Sequence, residues 1–207
     1  MQNIKNIILD LGGVLINLDY EKINFSISEL GLKNAFSKKT QIKLFDKLEE
    51  GEISEEFFLT EFKRLTSQKH TDEEIIKAWN TILLDFPIER IELLELLGKK
   101  YRLFLFSNTN SFHIKEVYNI LLRTHGIESL DPYFEKIFLS NEIGLRKPKP
   151  EGFKHIIETQ SLNKSETLFI DDSQQHIDGA KKVGLHAKLL NVEKEDIKSL
   201  VKRLSLI

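Results

Sequence analysis

The chain contains no cysteine. Disulfides, thiol nucleophiles and cysteine-ligated metals are therefore excluded, although this alone does not fix the compartment. It also lacks a basic excess: 30 Lys and Arg stand against 32 Asp and Glu, for a formal net charge of −2. Nothing in that balance points to nucleic acid or an anionic membrane as a partner. No apolar run is long enough to span a bilayer. The first residues lead into a strand pattern and show no signal-peptide layout. The expectation is a cytoplasmic enzyme or binding protein whose oligomeric state cannot be read. Internal repeats and low-complexity tracts are absent too. A content of 41% hydrophobic and 30% charged residues is that of an ordinary folded protein and argues against disorder. A length of 207 residues allows one large domain or a core with an insert.

What is present is organised around Ile7-Ile8-Leu9-Asp10-Leu11-Gly12-Gly13-Val14-Leu15. Three apolar residues run into one carboxylate and two glycines follow. This reads as a buried parallel strand that delivers Asp10 at its carboxyl end, where open α/β sheets place their chemistry.

The pattern then turns helical. Tyr20 to Leu30 is a helix closed by Gly31, and Lys38 to Glu50 is a second. Glu49-Glu50-Gly51-Glu52 reads as a polar break. Ser54 is a suitable N-cap for a helix whose apolar face is Phe57, Phe58, Phe62 and Leu65. That aromatic stripe could line a pocket, but core packing accounts for most of it. Thr71 and Glu74 fit a capping box. Residues 17–84 are read as an all-helical insert with its own small core, and 1–16 with 85–207 as the catalytic core.

From Pro87 helices alternate with strands. Strands are expected over Arg102–Phe106, Lys136–Ser140, Thr167–Ile170 and His186–Leu190, with a loop from Asn141 to Pro150. Five strands alternating with helices give an α/β fold with a parallel, doubly wound sheet and right-handed crossovers.

Three more strand ends carry what a reactive aspartate needs. Asp10 can attack phosphorus as a carboxylate nucleophile. The repulsion between two anions calls for Mg2+, which takes hard oxygen ligands. Asp171 and Asp172 are the companion ligands, and the Gly12 carbonyl is a third. Adjacent carboxylates at a strand end could instead form a solvated turn or cap, but they repel each other unless a cation is near. Ser107 and Asn108 leave a strand ahead of a helix, where a hydroxyl and backbone N–H groups hold phosphate oxygens. Lys147, in a loop stiffened by Pro148 and Pro150, would offset carboxylate and phosphate charge. Its plainer reading is a solvated basic loop. His113 is read as a solvated helix position, and Arg146 is left open.

Together these stretches resemble the haloacid dehalogenase-like (HAD) hydrolase superfamily. Asp10-Leu11-Gly12-Gly13-Val14 is similar to its first motif, Ser107-Asn108 to its second and Lys147 in Arg146-Lys147-Pro148 to its third. Asp171-Asp172-Ser173, with Gly179, Ala180 and Gly184 beyond, is similar to the fourth. The match runs in order over nearly the whole chain. It implies a Rossmann-like sheet of order 3-2-1-4-5 and a small helical cap inserted between the first two motifs. It also implies Mg2+-dependent hydrolysis of a small phosphomonoester, a sugar phosphate being one candidate. A subgroup of bacterial phosphatases acting on glucose 1-phosphate shares Asp-Leu-Gly in the first motif. Carried over, Asp10 is nucleophile and metal ligand, Ser107 and Asn108 bind the phosphoryl group, and Lys147 stabilises charge. Asp172 binds Mg2+, with Asp171 bound directly or through water. By the same analogy, Glu49 to Ser54 is a candidate substrate-contact loop.

One departure stands out. Phosphatases of this family mostly carry a second aspartate two residues after the nucleophile, as acid and base for the leaving group. Gly12 occupies that position here. General acid–base catalysis contributes about 10²–10⁴-fold. Either another group near Asn17 or Asp19, or water, substitutes, or the leaving group is a good one, or turnover is slow. The alternatives are a metal-independent 2-haloacid dehalogenase, which also lacks that aspartate, and a non-catalytic module binding a phospholigand or protein. A phosphate-receiver domain fits less well, having no place for the insert.

Overall fold

The computed structural model describes residues 3–33, 35, 41–66 and 69–207. Its centre is a parallel sheet of β1 (Asn6–Leu9), β2 (Arg102–Ser107), β3 (Lys136–Leu139), β4 (Thr167–Asp171) and β5 (His186–Leu189). The strand order is β3-β2-β1-β4-β5, as the family resemblance implied. The helices, in chain order, are α1 (Tyr20–Glu29), α2 (Lys43–Glu49), α3 (Glu55–Thr66), α4 (Asp72–Asn80), α5 (Ile88–Gly98), α6 (Ser111–His125), α7 (Ser140–Ile143), α8 (Pro150–Thr159), α9 (Gln174–Lys182) and α10 (Ile197–Arg203).

The strands are apolar without alternation because the sheet is covered on both faces. Ile7, Leu9, Leu103, Leu105, Leu168 and Ile170 pack on one face with residues of α5, α6 and α10. Ile8, Phe104, Phe106, Phe138 and Phe169 pack on the other, with residues of α8 and α9. In β1, Leu9 stands opposite Leu105 of β2 and Ile170 of β4. The residues that follow these three strands therefore leave the sheet side by side, on one edge.

Helices α1 to α4 lie between β1 and α5 and share a third apolar cluster that includes Ile23, Phe45, Phe58, Phe62, Ile75 and Trp79. Phe112 of α6 also belongs to it. The chain passes into and out of this layer through two paired segments. Asn17 N–H donates to the Asp85 carbonyl (3.0 Å), Leu84 N–H to the Asn17 carbonyl (2.9 Å) and Asp19 N–H to the Ile82 carbonyl (2.8 Å).

Local signals held in several places. The Thr71–Glu74 capping box is formed in both directions, and Ser54 Oγ accepts from Phe57 N–H (3.1 Å). Four expectations need correction. The second helix starts at Lys43, not Lys38; residues 38–40 of that expectation lie outside the described residues. Ser140 opens a one-turn helix, α7, where the end of a strand and then a loop were expected. The buried face of α3 is Phe58, Leu59, Phe62 and Thr66, while Phe57 is 50% and Leu65 41% exposed. Its crowded apolar residues allow two helical stripes, and the i, i+4 series of Phe58, Phe62 and Thr66 is the one that meets the layer's core. Finally, Glu49, expected in a polar break, closes α2 and is buried.

Trp79, the sole tryptophan, is fully buried. It lies 4.4 Å from the Phe45 ring and 5.4 Å from the Phe58 ring, centroid to centroid. Its Nε1 donates to Asn110 Oδ1 (3.3 Å), at the head of α6. Trp79→Ala should lower unfolding free energy by about 3–5 kcal/mol, measured by urea denaturation followed by far-UV circular dichroism. A loss under about 1 kcal/mol would show that this contact does not hold the helical layer.

Candidate active site

Four loops meet at the carboxyl edge of the sheet. Asp10 extends β1, with its N–H donating to the Ile170 carbonyl (3.0 Å), and so stands beside Asp171 at the end of β4. Lys147 reaches between them from the loop after α7. Its Nζ lies 2.6 Å from Asp10 Oδ1 and 2.7 Å from Asp171 Oδ2, and its side chain is completely buried. The ammonium also lies 5.5 Å from the ring centroids of Phe106 and Phe169. A solvated basic loop is therefore excluded.

Asn108, just after β2, holds that loop. Its Oδ1 accepts from Lys147 N–H and its Nδ2 donates to the Lys147 carbonyl, both at 2.8 Å. The Asn108 side chain is thus engaged in positioning Lys147, and Asn108 lines the cavity described below. Ser107 ends β2 with its hydroxyl only 3.5 Å from the Asn108 carbonyl, a long contact, and lines the cavity described below. Asp171 accepts from Ser173 N–H (2.8 Å) and lies 3.0 Å from His176 Nδ1. Asp172 faces the cavity. Its carboxylate packs against Gly13, which has φ +72°, so a Cβ at that position would overlap Asp172. Asp10, Asp171 and His176 each bring a ligand atom within 4.8 Å of the others.

Charge is unevenly matched here. Burial and then Asp171 push the Asp10 carboxyl up to about 8, against the pull of Lys147. Burial also raises Asp171, but the Lys147 ammonium and then His176 outweigh it and hold Asp171 below the usual carboxylate range. Lys147 is raised: burial lowers it, and Asp10 and Asp171 more than restore it. Tyr20 is raised by burial and by Asp172, then Asp10. Asp10 and Asp171 share the Lys147 ammonium in a place with little solvent, with the Asp172 carboxylate also facing the cavity, an arrangement that favours either a bound proton or an added cation. The oxygen donors and the tight Gly13–Asp172 cradle fit a small, hard divalent ion.

The site opens into a cavity of about 390 Å³, within the range of small-molecule pockets. Asp10, Gly12, Ser107, Lys147 and Asp172 line its floor, and Tyr20, Gln41, Asp46 and Glu49 come from the helical layer. Of these, Tyr20, Gln41 and Asp46, like His176, were not singled out from sequence as site residues, whereas Glu49 opens the loop expected by family analogy to contact substrate. Tyr20 opens α1 and carries no local signal. His176 sits three residues after Ser173, in the first turn of α9, a spacing that could have flagged it. Arg146 does not point to solvent: it pairs with Asp46, and with Glu49 at 2.6 Å. Asn17 and Asp19 do not supply the missing acid. Asn17 binds Asp85 and Arg90, and Asp19 caps α1 through Lys22 N–H.

His113 is the remaining correction. It is buried and stacks on Trp79 at 5.0 Å. Nδ1 lies 3.1 Å from Asn110 Nδ2, and Nε2 3.2 Å from the Trp79 carbonyl. Nε2 therefore carries the proton and Nδ1 accepts, which is the neutral ring. Burial pushes its pKa down to about 4, although the Trp79 carbonyl opposes this.

Residues 4–184 match the family model described as haloacid dehalogenase-like hydrolase. A D-ribitol-5-phosphate phosphatase of Bacteroides thetaiotaomicron is 33% identical over 184 residues, which is 87% of this chain and 89% of that protein. A HAD-family enzyme of the same organism, solved as a mutant with magnesium and inorganic phosphate, superposes with a TM-score of 0.88. It is 34% identical, over 95% of this chain and 98% of that one. A predicted HAD-like hydrolase of Porphyromonas gingivalis gives a TM-score of 0.86 at 30% identity, covering 98% of each chain.

The depressed His113 pKa has a consequence for stability. The unfolded ring takes up its proton near pH 6.5 and the folded one only near 4. Stability is therefore lost as pH falls through that window, by about 3 kcal/mol in all. The unfolding free energy of wild type minus that of His113→Phe should be constant above pH 7 and fall by about that amount by pH 4. A difference independent of pH would show that the folded ring is not held neutral.

Proposed function

We propose that this chain, which belongs to the haloacid dehalogenase-like hydrolases, is a Mg2+-dependent phosphatase acting on a small phosphomonoester through an aspartyl-phosphate on Asp10. The observation that carries this reading is the contact of Asp10 with the buried Lys147 at the floor of a closed-in cavity, beside two further carboxylates. In this reading residues 17–84 are the cap and 1–16 with 85–207 the catalytic core. The D-ribitol-5-phosphate named for the relative suggests a polyhydroxylated alkyl ester, a soluble metabolite of the cytoplasm.

Asp10 would attack phosphorus opposite the ester oxygen. The new bond is carboxylate oxygen to phosphorus, and the bond that breaks is phosphorus to ester oxygen, releasing the alkoxide, which takes its proton from water. Water then cleaves the acyl phosphate to give inorganic phosphate and free Asp10. Ser107 Oγ and Lys147 Nζ would hold phosphoryl oxygens. Lys147 also fixes the direction of the Asp10 carboxylate. Asp10, the Gly12 carbonyl and Asp172 would hold Mg2+, with Asp171 behind them anchoring Lys147. When bound, the ion supplies the positive charge that lets a carboxylate approach a phosphate dianion. The helical layer limits bulk water and substrate size.

Release of phosphate from p-nitrophenyl phosphate and ribitol 5-phosphate should require Mg2+, stop on chelation and return on adding the metal. Asp10→Asn should lower it by about 10³-fold or more. Release that survives Asp10→Asn would refute the aspartyl-phosphate route.

Gly12 supplies no proton to the leaving alkoxide. A Cβ added there would stand 2.8 Å from Leu18 Cδ1, the tip of a flexible side chain. Gly12→Asp should therefore be tolerated at a loss of about 1 kcal/mol. Its rate on ribitol 5-phosphate relative to the aryl ester should rise by about 10-fold or more. An unchanged ratio in a folded variant would mean that leaving-group protonation is not limited at this position.

A further inference from the structure

The cavity has a second charged surface that the reaction above does not use. Helix α2 ends at Glu49, whose residue is 6% exposed. Glu49 Oε2 accepts from Arg146 at 2.6 Å and from Gln41 Nε2 at 2.9 Å. Asp46, one turn earlier, is held by the same two residues. The end of α2 cannot drift. Gly51, at φ +67°, lies so close to the Asn141 carbonyl that a Cβ would overlap it, and Glu50 pairs with Lys149. Gln41, Asp46, Glu49 and Arg146 all line the cavity that holds Asp10.

Among the described residues, this surface carries two carboxylates for one guanidinium. A phosphate seated on Asp10 and Lys147 directs the rest of its ester away from the floor, into the cavity. Hydroxyl groups on that portion would find carboxylate acceptors already oriented. A second anionic group would meet uncompensated negative charge that burial leaves poorly screened.

We propose that Glu49, fixed by Arg146 and Gln41, determines specificity for the phosphatase reaction inferred above, accepting hydroxyls of an uncharged polyhydroxylated leaving group and rejecting phosphomonoesters with a second anion. It rests on that reading. One uncompensated charge at about 5 Å, with an effective dielectric of about 20, corresponds to discrimination on the order of 100-fold.

The test is kcat and KM at pH 8 with Mg2+ on pairs matched in chain length: glycerol 1-phosphate against 3-phosphoglycerate, and 2-hydroxyethyl phosphate against 2-phosphoglycolate. Wild type should favour the neutral member of each pair by about 100-fold in kcat/KM. Glu49→Gln keeps the size and an acceptor oxygen but removes the charge. It should narrow both ratios by about 10-fold, mainly through lower KM for the anionic esters. Asp46→Asn should act in the same direction. A role confined to folding would alter both members of a pair alike and leave the ratios unchanged. Equal turnover of the paired esters by wild type overturns the proposal, as does a folded Glu49→Gln with wild-type ratios. p-Nitrophenyl phosphate separates this failure from failure of the phosphatase reading, in which no ester, the aryl one included, would be hydrolysed.

Discussion

The Lys147 ammonium is the interaction on which the site depends. Because Leu9 stands opposite Ile170, the parallel register forces the next residues, Asp10 and Asp171, out of the sheet side by side. Two buried carboxylates in that position repel each other and are poorly solvated. The register that builds the sheet therefore creates the problem, and a lysine from a distant loop resolves it. The lysine is itself tolerable in a water-poor place only because both partners are within 2.7 Å. Asn108 grips the Lys147 main chain on both sides, so the end of β2 positions the cation that β1 and β4 require. Asp172 adds a further carboxylate on the cavity side, a local field that suits a divalent cation and the phosphate it accompanies.

The helical layer is tied to this floor rather than merely resting over it. On one side Trp79 donates to Asn110, stacks on His113 and offers its carbonyl to His113 Nε2, while Phe112 packs into the layer's own apolar cluster. On the other side Arg146 and Lys149 bracket Lys147 in sequence and pair with Asp46, Glu49 and Glu50. The short stretch after β2 serves both surfaces: Asn108 faces the lysine loop, and Asn110 and His113 face the roof. The cavity takes its shape from these shared residues. A change in the roof is therefore felt at Lys147, and the two cannot be treated as independent parts.

The sheet and the floor of the site were legible because both depend on local pattern. Apolar runs of four or five residues mark the strands, and polar residues directly behind them mark the edge where parallel strands end. Lys147 stood out through its place in the loop and its likeness to a family motif. The roof was not legible, for a physical reason. Glu49 reads as one acid of a polar break, named as a substrate contact by family analogy alone, and the partners that hold it in the buried position are Gln41 and the distant Arg146. His113 looks like one polar position on an amphipathic helix, and only Trp79, 34 residues earlier, buries it. In α3 the crowded apolar residues left the choice between Phe57 and Phe58 to tertiary packing. Each miss concerns a side chain whose surroundings come from far along the chain, which periodicity does not report.

Gly12 pulls the reading toward metal-independent dehalogenation, since that chemistry also proceeds without a second aspartate. Charge decides against it. A 2-haloacid brings its own carboxylate, so a metal-free site needs a net positive lining. Among the described residues, the floor brings Asp10, Asp171 and Asp172 together with Lys147, and the roof brings Asp46 and Glu49 together with Arg146. Both surfaces are acidic, and a substrate carboxylate would be repelled from either side at a distance where burial leaves little screening. A phosphate ester escapes this only when a cation joins it, as the oxygen-rich floor allows. The missing side chain at position 12 thus bears on how the leaving alcohol gains its proton, and the seven charged residues named here bear on which anion can enter at all.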